Sequence, residues 1–181
     1  MPIENWFRHA DRRVPFLWES AAQPSARWHS AGSGPVQYAS DTPEGAWAEF
    51  IRHEGITDPT DLDGVSRSLW ALEIEFDDEV LDKPNLPAAV LLGDLSSYPL
   101  CQAEADRVRR DGATGLVSRA AALLPGAASG ELVDAGELRP GPARDGQTLC
   151  LFGTRPALVG HRCVETGQPP RRVLGLTRHL A

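Results

Sequence analysis

Only two stretches of this chain carry the spacing of a long helix, and short strand patterns fill much of the rest, so the fold expected is α+β. The first helix opens at Thr42-Pro43-Glu44, where Thr42 can cap and Pro43 suits the first turn. Ala46, Trp47, Phe50 and Ile51 form its apolar stripe, and Glu49 lies beside that stripe, at the rim of a cleft without deep burial. The second runs from about Leu100 to Asp111, preceded by Pro99 and closed by Gly112 at a left-handed position. Trp70, Leu72, Ile74 and Phe76 alternate with Ala71, Glu73 and Glu75, the pattern of a half-buried strand over Leu69 to Phe76. Further strands are expected at Ile3 to Phe7, Val14 to Trp18, Val36 to Ser40, Leu116-Val117, Thr148 to Phe152, Ala157 to Val164 and Arg172 to Leu176. Gly126 to Gly130 and Gly136 to Gly146 read as loops. Regular βαβ alternation is missing, which argues against a doubly wound sheet.

At 181 residues the chain is expected to form a single domain, with a core that requires no metal or disulfide staple. Its net charge of −7 opposes non-specific binding to nucleic acid and to anionic lipid. Lys83 is the only lysine among 18 basic residues, so a lone arginine here is weak evidence of function. Cys101, Cys150 and Cys163 are odd in number and lack C-x-x-C spacing, which fits a reducing compartment. The N-terminal residues have no apolar signal-peptide core, and the longest apolar run, Leu86 to Leu92, is too short to span a bilayer. The expectation is a soluble cytoplasmic protein with no membrane partner and no direct nucleic-acid binding. Unpaired strand edges and five tryptophans allow a homodimer but locate no interface.

The motifs of several large enzyme classes are missing. There is no P-loop and no G-x-G-x-x-G between a strand and a helix, and Gly32-Ser33-Gly34-Pro35 reads as a turn. His9, His29, His53, His161 and His179 form no HExxH, and His161-x-Cys163 offers two ligands where a structural zinc needs four. No G-x-S-x-G elbow occurs. Cys101, at the start of the second helix, is either a thiol activated by the helix dipole or a small buried hydrophobe. There remain Arg27, Tyr38 and Glu49, close together in sequence: a guanidinium fork suited to phosphate, an aromatic face with a polar tip, and a carboxylate able to stabilise developing positive charge. Taken singly, each also has an ordinary explanation as a surface cation, a core aromatic and a solvated helix residue.

The order of these pieces resembles the RES-domain family, named for its arginine, glutamate and serine. Trp6-Phe7-Arg8, Ala26-Arg27-Trp28 (alanine where glycine is common), Gln37-Tyr38-Ala39-Ser40 and Ala46-Trp47-Ala48-Glu49 match its first four elements in order. Cys101-Gln102, Gly115-Leu116-Val117-Ser118 and Leu149-Cys150-Leu151-Phe152 fit the remainder, and the resemblance spans roughly residues 5 to 155. Ser118 is matched to the family's serine, with Ala120 as the alternative equivalent and Ser97 as an alternative bearer of the role.

The resemblance implies one RES-type domain over residues 1–181, similar to ADP-ribosyltransferases: two small twisted sheets around an NAD cleft, with peripheral helices. It also implies a toxin of a toxin–antitoxin module that breaks the nicotinamide–ribose bond by phosphorolysis or hydrolysis, with a cognate antitoxin covering the site. In that reading Arg27 and Glu49 are catalytic, and Arg8 and Arg27 grip phosphate groups. Tyr38 stacks on the nicotinamide or its ribose, and Ser118 holds the nicotinamide side or a phosphate oxygen. NAD is then a substrate rather than a resident cofactor, phosphate is a possible co-substrate, and no metal is required. A protein ADP-ribosyltransferase and an inactive interaction module are the alternatives.

Overall fold

The long alternating segment becomes the strand on which one half of the sheet is built. The computed structural model describes residues 3–76 and 79–180. β3 (Arg67–Glu75) pairs antiparallel with β1 (Ile3–Asp11) from Ile3↔Glu75 to Asp11↔Arg67, and β9 (Gly160–Gly167) continues on its far side. A second block is formed by β2 (Val36–Ser40), β8 (Gln147–Phe152), β5 (Gly115–Arg119) and the short β4 (Leu81–Asp82). The strand order is β4-β5-β8-β2-β1-β3-β9, and only β4 and β5 run parallel. The strand pairing between the two blocks is limited to one residue pair, Phe7↔Ser40, although β1 and β2 are both longer. Everywhere else along β1 and β2 the strands are free to part. The fold is thus α+β, and the expected pair of small sheets exists as two halves of one mixed sheet held at a single register point.

Side-chain alternation sorts the core onto the two faces of this sheet. Trp6, Ala39, Leu72, Ile74, Leu149 and Leu151 pack together on one face. On the other face, α1 (Pro43–Glu54) packs Trp47, Phe50 and Ile51 over Leu69 and Phe7. Beside it, α3 (Tyr98–Arg110) buries Cys101, Ala105 and Val108 against Leu116 and Cys150. The short α2 (Ala88–Leu91) leads into α3. The Thr42 side chain accepts a hydrogen bond from Gly45 N at 3.0 Å, and Pro43 occupies the first turn of α1, as the sequence predicts. The second helix begins earlier than expected, at Tyr98, with Pro99 inside its first turn.

Three strand expectations need correction. Val14 to Trp18 forms no strand, because Phe16 is drawn onto Trp70 (ring centroids 4.8 Å apart) and the backbone of Trp18 bonds to side chains instead of to a neighbouring strand. Arg171–Leu176 is a short 3-10 helix that packs Val173 into the α1 cluster. The strand expected at Ala157 to Val164 lies three residues further on, at Gly160–Gly167. The segment read as a loop from Gly136 begins inside a hairpin, β6 (Glu131–Asp134) and β7 (Glu137–Pro140). Its turn residues Ala135 and Gly136 both have positive φ (52° and 85°), the geometry of a tight two-residue connection. Among the described residues no helix is long and apolar enough to cross a membrane.

Replacing Thr42 with alanine removes the acceptor for Gly45 N at the start of the helix that carries Glu49. The expected outcome is a loss of about 1 kcal/mol in unfolding free energy, measured by urea denaturation.

Candidate active site

Where the two halves of the sheet part, a cavity of about 750 Å³ opens. Its size is that of a pocket for a sizeable small molecule. Its wall comes from both halves of the sheet, from α1, from Tyr98 on α3, and from the irregular segment after β1. Five arginines line it (Arg8, Arg27, Arg52, Arg67 and Arg119) against three carboxylates (Asp11, Glu19 and Glu49). Asp11 is bonded to Arg13 at 2.8 Å, and Glu19 accepts the backbone N–H of Arg155. A protein of net charge −7 therefore presents a cationic cleft, which concentrates anionic ligands at this one place.

Glu49 lies where its position beside the apolar stripe predicts, in the wall with its side chain 24% exposed. His53 Nε2 lies 3.6 Å from its carboxylate, which accepts no hydrogen bond from the described residues. One turn on, Arg52 is buried at 3% exposure and donates to three backbone carbonyls: Ala121 (2.6 Å), Arg178 (2.9 Å) and Gly93 (2.7 Å). Burial lowers its pKa, and the nearby Glu49 charge opposes that shift. Arg27 converges on the same Gly93 carbonyl at 2.7 Å, donates to Ser97 Oγ at 3.0 Å, and lies 4.8 Å over the Tyr98 ring. Gly93 tolerates no side chain, since an added Cβ would lie 2.8 Å from Ala89 O and 3.0 Å from Ser97 Cβ. Two guanidiniums thus meet at one neutral oxygen, Arg52 fixed by carbonyls alone and Arg27 by carbonyls and the Ser97 hydroxyl, and among the described residues neither has an ion-pair partner.

Arg8 reaches across the gap between the halves and donates to the Tyr38 carbonyl at 2.9 Å. Burial, reinforced by Arg67, lowers its pKa to about 10 although Tyr38 opposes the shift, and its Nε has no partner. Arg67 lies 4.9 Å over the Phe50 ring and donates to His9 Nδ1 at 3.1 Å. The Tyr38 hydroxyl accepts from Trp28 N at 3.0 Å and meets His29 Nδ1 at 2.9 Å, and burial raises its pKa. Tyr38 therefore anchors the turn that carries Arg27, packs against the core beside α3, and is one of the residues lining the cavity.

The expected serine does not join this group. Ser118 is buried on β5, does not line the cavity, and its hydroxyl donates to the Arg119 carbonyl at 3.3 Å. Ser97 also lies outside the lining and acts as a support for Arg27. Ala120 is buried beside the wall, and it is Ala121 that lines it. One strand in from Ser118, its pairing partner Thr148 does line the cavity, and the Thr148 hydroxyl is buried without a hydrogen-bond partner. Thr148 and Arg52 are the site residues that sequence reasoning missed. Arg52 stands one turn after Glu49, a detectable spacing, whereas nothing in the sequence marks Thr148. Cys101 is a buried hydrophobe whose thiol pKa is pushed up by burial. Among the described residues no group of three or more His, Cys, Asp or Glu side chains is arranged to hold a metal ion.

Arg52→Met should strand three backbone carbonyls and lower unfolding free energy by about 2–4 kcal/mol in a urea titration. Arg52→Lys should recover little of that loss, because one ammonium cannot span the same three acceptors in the guanidinium's planar geometry.

The family model described as RES domain matches residues 4–133, well over half of the chain. No significant match to a curated protein was found. β8, with Thr148, lies beyond the matched residues yet pairs with both β2 and β5, so the cavity is completed by chain outside the match.

Proposed function

This chain belongs to the RES-domain family, and on that premise we propose that it breaks the bond between nicotinamide and ribose in NAD, with phosphate as the preferred nucleophile and water as the alternative. RES domains are linked to the NAD-consuming toxins of toxin–antitoxin modules. The observation that carries the proposal is Glu49: a half-buried carboxylate with no hydrogen-bond donor among the described residues, in a cavity whose other charged groups are mostly arginine. The arginines suit the two phosphates of a dinucleotide, and the free carboxylate suits a sugar carbon that becomes cationic.

In the proposed reaction the C1″–N bond breaks, and its electron pair stays on the ring nitrogen, which turns the charged pyridinium into neutral nicotinamide. Glu49 accepts hydrogen bonds from the ribose hydroxyls and stabilises the oxocarbenium-like transition state, as carboxylates do in glycoside cleavage. A phosphate oxygen then forms the new bond to C1″ and yields ADP-ribose-1″-phosphate. Attack by water, with loss of a proton, yields ADP-ribose. Arg8, Arg27 and Arg52 hold phosphate charge, and Tyr38 stacks against the nicotinamide end. Thr148 supplies the hydroxyl expected of Ser118. The cognate antitoxin expected of such a toxin is proposed to cover the cavity.

Purified protein incubated with NAD should release nicotinamide, and faster when phosphate is added. Release without phosphate dependence would select hydrolysis, and no release under either condition would overturn both forms of the reading. Label carried from NAD onto a protein would favour the transferase alternative. Glu49→Gln should cut turnover about 100-fold or more while leaving the urea midpoint unchanged; wild-type turnover would remove Glu49 from its role. Thr148→Val keeps the shape and deletes an unpartnered hydroxyl, so stability should hold or rise while KM for NAD increases about 3–10-fold, the worth of one neutral hydrogen bond.

A further inference from the structure

Trp18 is half exposed (50%) and lines the cavity, yet its backbone is held by two buried glutamines. Trp18 N donates to Gln37 Oε1 at 3.3 Å, and Gln37 Nε2 donates back to Trp18 O at 2.8 Å. Gln23 Nε2 donates to the same carbonyl at 2.8 Å, and both polar ends of Gln23 bind the backbone of Val36, the first residue of β2. Gln37 is 2% exposed and Gln23 7%. Burying two amides is costly unless they are well paired, and here that pairing fixes a backbone whose side chain stays uncovered. An indole half in solvent keeps an apolar face free for contact. Held rigidly in a cavity wall, it is a stacking surface for a planar ring.

Strand alternation ties this surface and Glu49 to opposite faces of the sheet. Gln37 shares a sheet face with Ala39, whose neighbours are Trp6, Leu149 and Leu151, whereas Tyr38 and α1 lie on the other face. Trp18 is therefore tied to one face and Glu49 to the opposite one, and the cavity includes both. Between β1 and β2, next to the Phe7↔Ser40 pair, Arg8 crosses to the Tyr38 carbonyl and also lines the cavity. A ligand that engages all three residues lining this cavity would carry a sugar at Glu49, an anionic group at Arg8 and a flat ring at Trp18. We propose that Trp18 is the stacking platform for the adenine ring of the dinucleotide. This rests on the NAD reading above and adds the subsite that sets the length of substrate accepted.

The test uses ADP-ribose, which carries the adenine but cannot lose nicotinamide, and nicotinamide mononucleotide, which lacks the adenosine half. Base stacking on an aromatic side chain predicts that Trp18→Ala weakens ADP-ribose binding about tenfold by calorimetry, with binding of ribose 5-phosphate unchanged. KM for NAD should rise by a similar factor with kcat within about twofold, and any turnover of nicotinamide mononucleotide should be unaffected. Trp18→Phe should recover most of the loss, since it keeps a ring on the same backbone. Equal ADP-ribose affinity in wild type and Trp18→Ala would overturn the platform and leave the NAD reading standing. Equal weakening of ADP-ribose and ribose 5-phosphate would overturn it too, since Trp18 would then be supporting the wall as a whole. Absence of ADP-ribose binding to the wild-type protein, together with no nicotinamide release from NAD, would overturn both.

Discussion

The structure depends on a sheet that is joined at one residue pair. β1 has nine residues and pairs along its whole length with β3, yet it meets β2 only at Phe7↔Ser40. A full ladder there would close the sheet and leave nothing between its halves. With one point of contact, the backbone groups on either side must find other partners or face solvent and ligand. One such group, the Tyr38 carbonyl, is taken by Arg8. The gap in pairing and the cationic cleft are thus one feature: the missing ladder makes room for side chains that a continuous sheet would exclude.

Charge is handled in the same economical way. Arg27 and Arg52 are nearly fully buried, and among the described residues neither has a carboxylate in a salt bridge; their terminal N–H groups go to backbone carbonyls and one hydroxyl instead. Neutral oxygens fix the geometry of a guanidinium but cancel little of its charge, so the positive potential survives for a ligand. An ion pair with each arginine would have been a safer way to bury them and would have erased the site. Glu49 is complementary to them. It stands close enough for mutual influence with Arg52, yet it keeps its acceptor capacity free. Gly93 underlies this arrangement, because only a residue without a side chain lets its carbonyl serve both guanidiniums.

Several elements were legible in the sequence for local reasons. The Thr42-Pro43 start of α1, the strand Val36–Ser40 and the alternation over β3 each follow from capping, ring geometry or period-two burial, which neighbouring residues decide among themselves. Val14 to Trp18 misled because its apolar alternation serves a different purpose. Phe16 packs on Trp70, Trp18 faces the cavity, and glutamine side chains replace a strand partner. At the C-terminal end, Val173 supplies an apolar contact for α1 from a 3-10 turn, and a single buried contact of that kind reads the same in a strand or a turn.

By itself the sequence determined the fold class, the helix that carries Glu49 and the family, because each rests on short-range spacing, and it singled out Arg27, Tyr38 and Glu49, which the structure brings to one cavity. Tertiary structure alone decided which hydroxyl-bearing residue borders the cleft. Ser118 and Thr148 are directly paired on adjacent strands, and the outer one stops short of the cavity while the inner one lines it without a partner. It also decided that Arg52 joins Arg27 at a shared carbonyl and that Trp18 and Glu49 occupy opposite faces of one opening. Those facts follow from where the sheet parts, and a missing set of hydrogen bonds between two strands leaves no mark on either strand's sequence.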